Sequence, residues 1–251
     1  MDIDKFTSNT DQSRLLVLSG AGLSRESGIL TFRDSPDGMW NNYDLKTVCW
    51  ADSFDENYEI VHEFYSERRK QLGTVKPNAA HEFLNEMEFI LGDDRFLHMT
   101  ANVDDLIERH GGSAMHLHGY LPEIVKDWKT NPKVEDIGYA DYKPAPGSVD
   151  RPNIVMFGDY YRYENGIKKA VYGDRNHVLG WMNSDDIIIV IGSSDTVLEW
   201  SSLAGWGTPS RTMNVNPLRH DSDHAFNENV YKGAVAAIPE MRKFIEDHLG
   251  I

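Results

Sequence analysis

Four apolar residues, Leu15-Leu16-Val17-Leu18, run without a polar break into Ser19-Gly20-Ala21-Gly22. An apolar run this short predicts a strand buried on both faces, as in a parallel sheet. Similar runs recur at Phe96–Thr100, Met115–Gly119, Asn153–Gly158, Ile187–Ser194 and Arg211–Asn216. Between them the spacing turns helical. Ile60, Val61, Phe64, Tyr65 and Leu72 fall on one face of a helix over 56–72, and Pro77 suits the first turn of a second helix. A third helix, from Ile238 to Leu249, closes the chain. Strands alternating with helices predict an α/β fold whose mostly parallel sheet carries helices on both faces. Residues 120–150 hold prolines at 122, 132, 144 and 146 and no clear period, which predicts a small inserted module.

In such sheets the polar residues just past the strand carboxyl ends line the ligand crevice. Here those ends carry Gly20-Ala21-Gly22, Asn102 with Asp104, His118, Gly192-Ser193-Ser194, and Asn214. Gly20 and Gly22 let the backbone turn sharply and approach a ligand closely. A helix starting at this turn would direct its amide groups at a phosphate. The third glycine of a G-x-G-x-x-G fingerprint is replaced by Arg25, so the turn alone leaves a nucleotide site and an ordinary strand-to-helix turn equally open. The hydroxyls, amides, carboxylate and histidine that follow suit a nucleotide with ribose hydroxyls and a proton acceptor near neutral pH.

Composition narrows the picture. The 251 residues are 40% hydrophobic and 26% charged, as in an ordinary globular protein. A net charge of −15 argues against nucleic acid as a partner and is compatible with lysine-rich protein substrates. No apolar run has the length of a membrane span, and Met1-Asp2-Ile3-Asp4-Lys5 lacks a signal pattern, so no membrane partner and a cytoplasmic location are expected. The single cysteine, Cys49, excludes an intrachain disulfide and a four-cysteine zinc site, and Val48-Cys49-Trp50 reads as packing. The segments Asp185-Asp186 and Asp221-Ser222-Asp223 read as solvated turns, and the histidines other than His116 and His118 as solvent-facing or structural.

Five motifs, in order, resemble the sirtuins, the NAD-dependent protein deacylases. Gly20–Ile29 followed by Phe32-Arg33 is similar to the first family motif, and Thr100-Ala101-Asn102-Val103-Asp104 to T-Q-N-I-D. His118-Gly119 matches the catalytic His-Gly, Arg151–Asp159 the R-P-x-V-V-W-F-G-E strand, and Gly192-Ser193-Ser194 with Asn214 the adenosine-ribose positions. The resemblance spans Leu15 to the end. It implies one domain over residues 1–251: a Rossmann-like part (about 10–55, 75–118 and 151–251) and module insertions (about 56–74 and 119–150). It further implies NAD as cofactor and acylated-lysine proteins as substrates. Gly20, Ala21, Gly22 and Ser24 would cradle the pyrophosphate, and Phe32 and Arg33 would lie in the cofactor loop. Asn102 and Asp104 would hold the nicotinamide end, and His118 would be the general base. Gly192, Ser193, Ser194 and Asn214 would hold the ribose, and Gly233 and Ala234 the adenine. Val155, Phe157 and Gly158 would pair with the substrate peptide as an added strand. In the family mechanism the acyl oxygen displaces nicotinamide, and the products are deacylated lysine and O-acyl-ADP-ribose.

Three departures stand out. The four zinc-binding cysteines common in the family are missing, so no metal is expected, and Trp128, Tyr139 and Tyr142 are left to pack the module. Ala101 replaces a glutamine beside the nicotinamide ribose. Met156, Asp159 and Leu30 replace tryptophan, glutamate and proline. One addition is Tyr65 with Arg68, similar in spacing to the acyl-carboxylate pair of the sirtuins that remove succinyl and malonyl groups. The alternative for that pair is a buried tyrosine beside a salt-bridged arginine. Two other activities remain open on the same motifs: NAD cleavage as a hydrolase or ADP-ribosyltransferase, and NAD binding with weak catalysis.

Overall fold

The computed structural model describes residues 2–8, 11–29, 39–40, 43–171, 173–193 and 211–251. Its centre is the strand β1 (Leu15–Ser19), buried at all five positions. Four further strands in the order met along the chain, here numbered β4 (Phe96–Thr100), β5 (Met115–His116), β11 (Ile187–Ile191) and β12 (Arg211–Val215), join β13 (Glu228–Val230) to complete one sheet. The order across the sheet is β13-β12-β11-β1-β4-β5 and every pairing is parallel. The chain therefore builds outward from β1 to one edge, returns to the middle, and builds to the other. That reversal creates a switch point beside β1.

The sheet is covered on both faces, as the apolar runs predict. Successive side chains on a strand alternate faces. Leu15 and Val17 accordingly pack with Ile187, Ile189 and Met213 under α4 (Ala79–Leu91) and the closing helix α6 (Ile238–Leu249). Leu16 and Leu18 face the other way, against Phe6 of α1 (Ile3–Ser8) and Val178 and Leu179 of α5 (Gly173–Gly180). Burying each such side chain stabilises the fold by about 1.5–3 kcal/mol. α4 begins two residues later than Pro77 suggests: Asn78 is its cap, accepting from the amides of Ala80 and His81, and Pro77 precedes it.

The opposite end of β1 is locked by charge. Arg14 and Asp186 are both buried and meet at 2.6 Å, and Arg14 also donates to the carbonyls of Phe6 and Trp181. Asp186 is thus not in a solvated turn; it is the partner of an arginine set between β1 and β11. Breaking such a pair costs about 3–5 kcal/mol, because the survivor stays charged in the interior.

The predicted strand 115–119 divides. β5 ends at His116, and β6 (Gly119–Lys126) leaves for a second, antiparallel sheet with β7 (Lys133–Asp136) and β8 (Arg151–Ile154). Gly119 makes the corner at φ +86°, and a Cβ there would lie 2.0 Å from the Asn153 carbonyl oxygen. The predicted strand 153–158 likewise contributes only its start, to this smaller sheet rather than the parallel one. The module packs on α3 (Tyr58–Leu72) through Val61, Phe64, Leu72, Leu121 and Ile154. Its polar side is tied by Asp150, which accepts from Tyr142 and from Lys126 at 3.2 Å, and by Arg151, which lies over Trp128 and Phe54. Tyr139 stacks under Arg109 and donates to Asp105. A hairpin, β9 (Tyr161–Glu164) and β10 (Ile167–Ala170), follows. No helix among the described residues is long and apolar enough to cross a membrane.

Candidate active site

The crevice opens where β1 ends. The Gly20 amide donates to the Ile191 carbonyl and the Gly22 amide to the Gly192 carbonyl, both at 2.9 Å, so the two glycine segments form one wall. The segment that follows is not the predicted α-helix. It forms two 3-10 turns, Ala21–Leu23 and Arg25–Ser27, closed by bonds from Leu23 to Gly20 and from Gly28 to Arg25. Gly28 stops it with φ +95°, in the left-handed region that glycine enters without steric cost.

Ser24, between the two turns, is drawn inward to a buried polar node. Its hydroxyl donates to Asp104 Oδ2 at 2.9 Å and accepts from Asn102 Nδ2 at 3.3 Å. His81 Nε2 also reaches Ser24 Oγ, at 3.3 Å. The tautomer of His81 follows from its other nitrogen, which accepts the Asn78 amide, so Nε2 carries the proton. Burial lowers the His81 pKa to about 4. Burial likewise raises the pKa of Asp104, against the stabilising bonds from Ser24 and the Leu106 amide. Asn102 is buried beside it, its amide donating to Thr100 Oγ1 at 3.0 Å.

His118 sits in the corner between β5 and β6, half-buried. Burial lowers its pKa, opposed by a hydrogen bond to the Ala101 carbonyl. A carbonyl only accepts, so the bonded nitrogen holds the proton and the other offers a lone pair. That is the arrangement a general base requires.

At the ribose positions the end of β12 carries two amides. Asn214 lies inside β12, on the sheet face opposite Met213 and Val215, and its amide donates to Asp223 and Asn229, both at 3.2 Å. Asn216, just past the strand end, is the amide that reaches the crevice, donating to the Ser193 carbonyl. Two residues apart, they share a side of the strand, and only where β12 ends distinguishes them: Asn214 lies within it and Asn216 one residue beyond. Gly233 and Ala234 close the far side. The Val235 amide donates to Glu26 at 2.9 Å, and a Cβ on Gly233 would lie 3.2 Å from both carboxylate oxygens. Phe32, Arg33 and Ser194 lie outside the described residues, as does Leu30.

Tyr65 and Arg68 do share a face of α3, and both are buried. The Tyr65 hydroxyl points at Cys49 Sγ, 4.0 Å away, and Arg68 lies over the Phe64 ring and 3.7 Å from Glu67. Burial pushes the Cys49 thiol up to about 11, which makes it a poor nucleophile.

The 155–158 segment is more occupied than an added peptide strand would require. The Phe157 amide donates to the Cys49 carbonyl and its carbonyl accepts from the Ala51 amide, while its ring stacks on Trp50. The Val155 amide is held by the His118 carbonyl. Phe157 therefore cannot offer these main-chain groups to a peptide while its bridge to residues 49–51 stands. Gly158, at φ +90°, lies just beyond them. Asp159 pairs with Arg151 at 2.5 Å and accepts the Met156 amide.

Reasoning from sequence missed the parts of five residues: His81, Asn216, Glu26 and the pair His116–Glu108. The Asn-x-x-His spacing before a helical run signals the cap that orients His81. The others depend on contacts between segments distant in the chain. Among the described residues no group of three or more histidine, cysteine or acidic side chains is placed to hold a metal ion. The interval from Tyr120 to Asp150 contains neither cysteine nor histidine, so its donor set does not fit zinc.

Comparison with known proteins gives a consistent result. Residues 20–199 match the profile of the Sir2 family. The chain is 35% identical to an NAD-dependent protein deacylase of Helicobacter hepaticus, over 93% of this chain and 97% of that one. It is 34% identical to an NAD-dependent protein deacylase of Escherichia coli K12, over 92% and 81%. Among solved structures, a Sir2 homologue in complex with NAD superposes with a TM-score of 0.74 at 26% identity, over 99% and 95% of the two chains. A mutant Sir2 homologue in complex with ADP-ribose gives 0.75 at 25%, over 100% and 99%.

Proposed function

Since the chain belongs to the Sir2 family and is an NAD-dependent protein-lysine deacylase, we propose that its chemistry runs at the Ser24–Asn102–Asp104 node with His118 as base. The observation that supports this most directly is the node itself. Hydroxyl, amide and carboxylate meet at one strand edge, beside a histidine whose proton is already committed to Ala101. The donor set fits NAD: it offers hydroxyl, amide and carboxylate partners for the ribose and the nicotinamide amide. Bound NAD supplies an electrophilic ribose carbon and a leaving group. The glycine wall at 20–22 and 192 lies against its phosphates, and Ser193, with Asn214 and Asn216 at the end of β12, takes the adenosine ribose. Gly233 and Ala234 flank the adenine. Asp104 accepts from an amide N–H, and Asn102 orients the reacting end. His118 takes a proton from a ribose hydroxyl at its free ring nitrogen. Phe32, Arg33 and Ser194 complete the cofactor site in this reading.

The acyl group we assign is a carboxylate-bearing one, succinyl or malonyl, on the strength of Tyr65 and Arg68. Such a carboxylate loses its hydration on entering a buried site, and a guanidinium with a hydroxyl replaces it. Lysine side chains of proteins are the substrate, and pairing of their main chain with Val155–Gly158 requires the bridge from Phe157 to residues 49–51 to open. The reading includes no bound zinc and a cytoplasmic setting; a net charge of −15 disfavours nucleic acid as partner.

Mass spectrometry after incubation with NAD and an acylated peptide tests it. Deacylated peptide, nicotinamide and O-acyl-ADP-ribose in equal amounts are expected. Nicotinamide and ADP-ribose with the peptide unchanged would assign the site to NAD hydrolysis.

A further inference from the structure

Two residues before His118, His116 is bonded at both ring nitrogens. Nδ1 lies 2.7 Å from the Asn102 carbonyl oxygen, and Nε2 lies 3.1 Å from Glu108 Oε1. A carbonyl and a carboxylate only accept, so both nitrogens are donors and the ring is an imidazolium. It is largely but not fully buried, its side chain 12% exposed, with the Tyr120 ring edge-on at 4.8 Å. Asn102 is thereby fixed at three atoms: its carbonyl by His116, its amide N–H by Thr100, and its side chain by Ser24. His118 bonds the preceding carbonyl, that of Ala101. The two histidines thus hold successive carbonyls of one loop.

We propose that the His116–Glu108 ion pair is a positioning device that fixes the Asn102 carbonyl, and through it the Asn102 side chain and the Ala101 carbonyl on which His118 is seated. The proposal rests on the reading that Asn102 and His118 work in the reaction. Burial disfavours charge on His116, but the hydrogen bond and charge of Glu108, helped by Asn102 and Asp104, hold its pKa above the ordinary value. The other groups that face it are Glu123 of β6, which adds negative charge, and His98 of β4, kept neutral by its own burial. The brace therefore holds below the His116 pKa and releases as pH rises through it.

Two amide substitutions separate the two bonds. In His116→Asn the side-chain amide stands where Nδ1 stood and can still reach the Asn102 carbonyl. In His116→Gln it stands near Nε2 and can reach only Glu108. The experiment measures kcat, KM for NAD and thermal midpoint across neutral and alkaline pH, in the wild type, both variants, Glu108→Gln and Asn102→Ala. We expect His116→Gln to lose about ten- to a hundredfold in kcat, the scale of a misplaced reacting group. His116→Asn should stay within about threefold of the wild type, since it keeps a neutral hydrogen bond, and should lose the alkaline fall in kcat. Glu108→Gln should move that fall to lower pH. Equal kcat in the Asn and Gln variants, or losses that follow the thermal midpoint alone, would overturn the positioning role. Near-normal nicotinamide release by Asn102→Ala would overturn the site reading and the positioning role together. Should His116→Gln not fold, an unchanged alkaline limb in His116→Asn or Glu108→Gln overturns the proposal by itself.

Discussion

Gly22 and Gly192 touch through their backbones: a Cβ built on Gly22 would lie 2.6 Å from the Gly192 Cα, and one on Gly192 would lie 2.5 Å from the Gly22 Cα. Neither has a flexible side chain to move aside, so any substitution forces β1 and β11 apart at the mouth of the crevice. Gly192→Ala carries a second cost, since Gly192 has φ +63°. We expect it to destabilise the fold by about 2–3 kcal/mol and to abolish turnover. Gly147→Ala is the control, because Gly147 has φ +79° with nothing within 4 Å of its Cβ position. It should cost only about 1–2 kcal/mol and leave activity intact. Denaturant titration of both variants decides, and equal losses would show that the wall tolerates a methyl group.

His118→Ala should cost about a hundred- to ten-thousandfold in deacylation, the usual range for a general base, with the circular dichroism spectrum unchanged. Because burial lowers the His118 pKa, its neutral form is present through the neutral range, and the wild-type rate should rise with pH only on the acid side. A variant that keeps near-normal turnover would remove His118 from the reaction.

The acyl pair is tested by a ratio. Arg68→Met should lower desuccinylation by about 2–5 kcal/mol, as for loss of a buried charge contact, and leave deacetylation of the same peptide little changed. Taking the ratio within one variant cancels any loss of folded protein, which matters because Arg68 also packs on Phe64. If both activities fall together, Arg68 supports the helix and an uncharged acyl group is the substrate.

A strong chelator should change neither the spectrum nor the rate, because the module is tied by Asp150, Tyr142, Lys126 and Arg151. Asp150→Asn should instead loosen it by about 1.5–3 kcal/mol, the worth of hydrogen bonds to a charged group. Protease cleavage within residues 119–150 reads this out. Unfolding on chelation alone would reveal metal ligands.

Acid should unfold the protein in a defined window. His62, His81 and His98 are buried, with pKa values lowered to about 4, 4 and 3. Below about 6.5, the ordinary value, the unfolded chain binds protons that the folded one refuses. Stability is therefore full above that pH and falls by about 1.4 kcal/mol per unit for each histidine down to its folded pKa. His116 and Asp104, both shifted upward, oppose the trend in part. His81→Gln should flatten the slope measured by denaturant titration, and an unchanged slope would mean that His81 titrates normally.

How much of this was legible in the chain can be argued residue by residue. β1, β4 and β11 could be read because an unbroken apolar run has few alternatives, and the closing helix because Met241, Phe244 and Ile245 recur at helical spacing. The contact of Asn216 with the Ser193 carbonyl could not be read, since it turns on which residue is the last of β12. The turns after Gly22 mimic a helix in composition and differ only in where Gly28 stops them. The bridge from Phe157 to Cys49 and Ala51, and the bond from His116 to Glu108, join segments with no shared local pattern.

The position of β1 has a consequence for how the protein is made. Its two neighbours are strands that begin at Phe96 and Ile187, so its pairings span roughly a third and two-thirds of the chain. Contacts of such long range pay loop-closure entropy before they return any energy, and they slow folding. During synthesis the apolar edge of β1 must wait until residues 187–191 have been made before its second side is covered. Until then it is a bare hydrophobic strand, and chains cut short before that point are the ones we expect to need a chaperone.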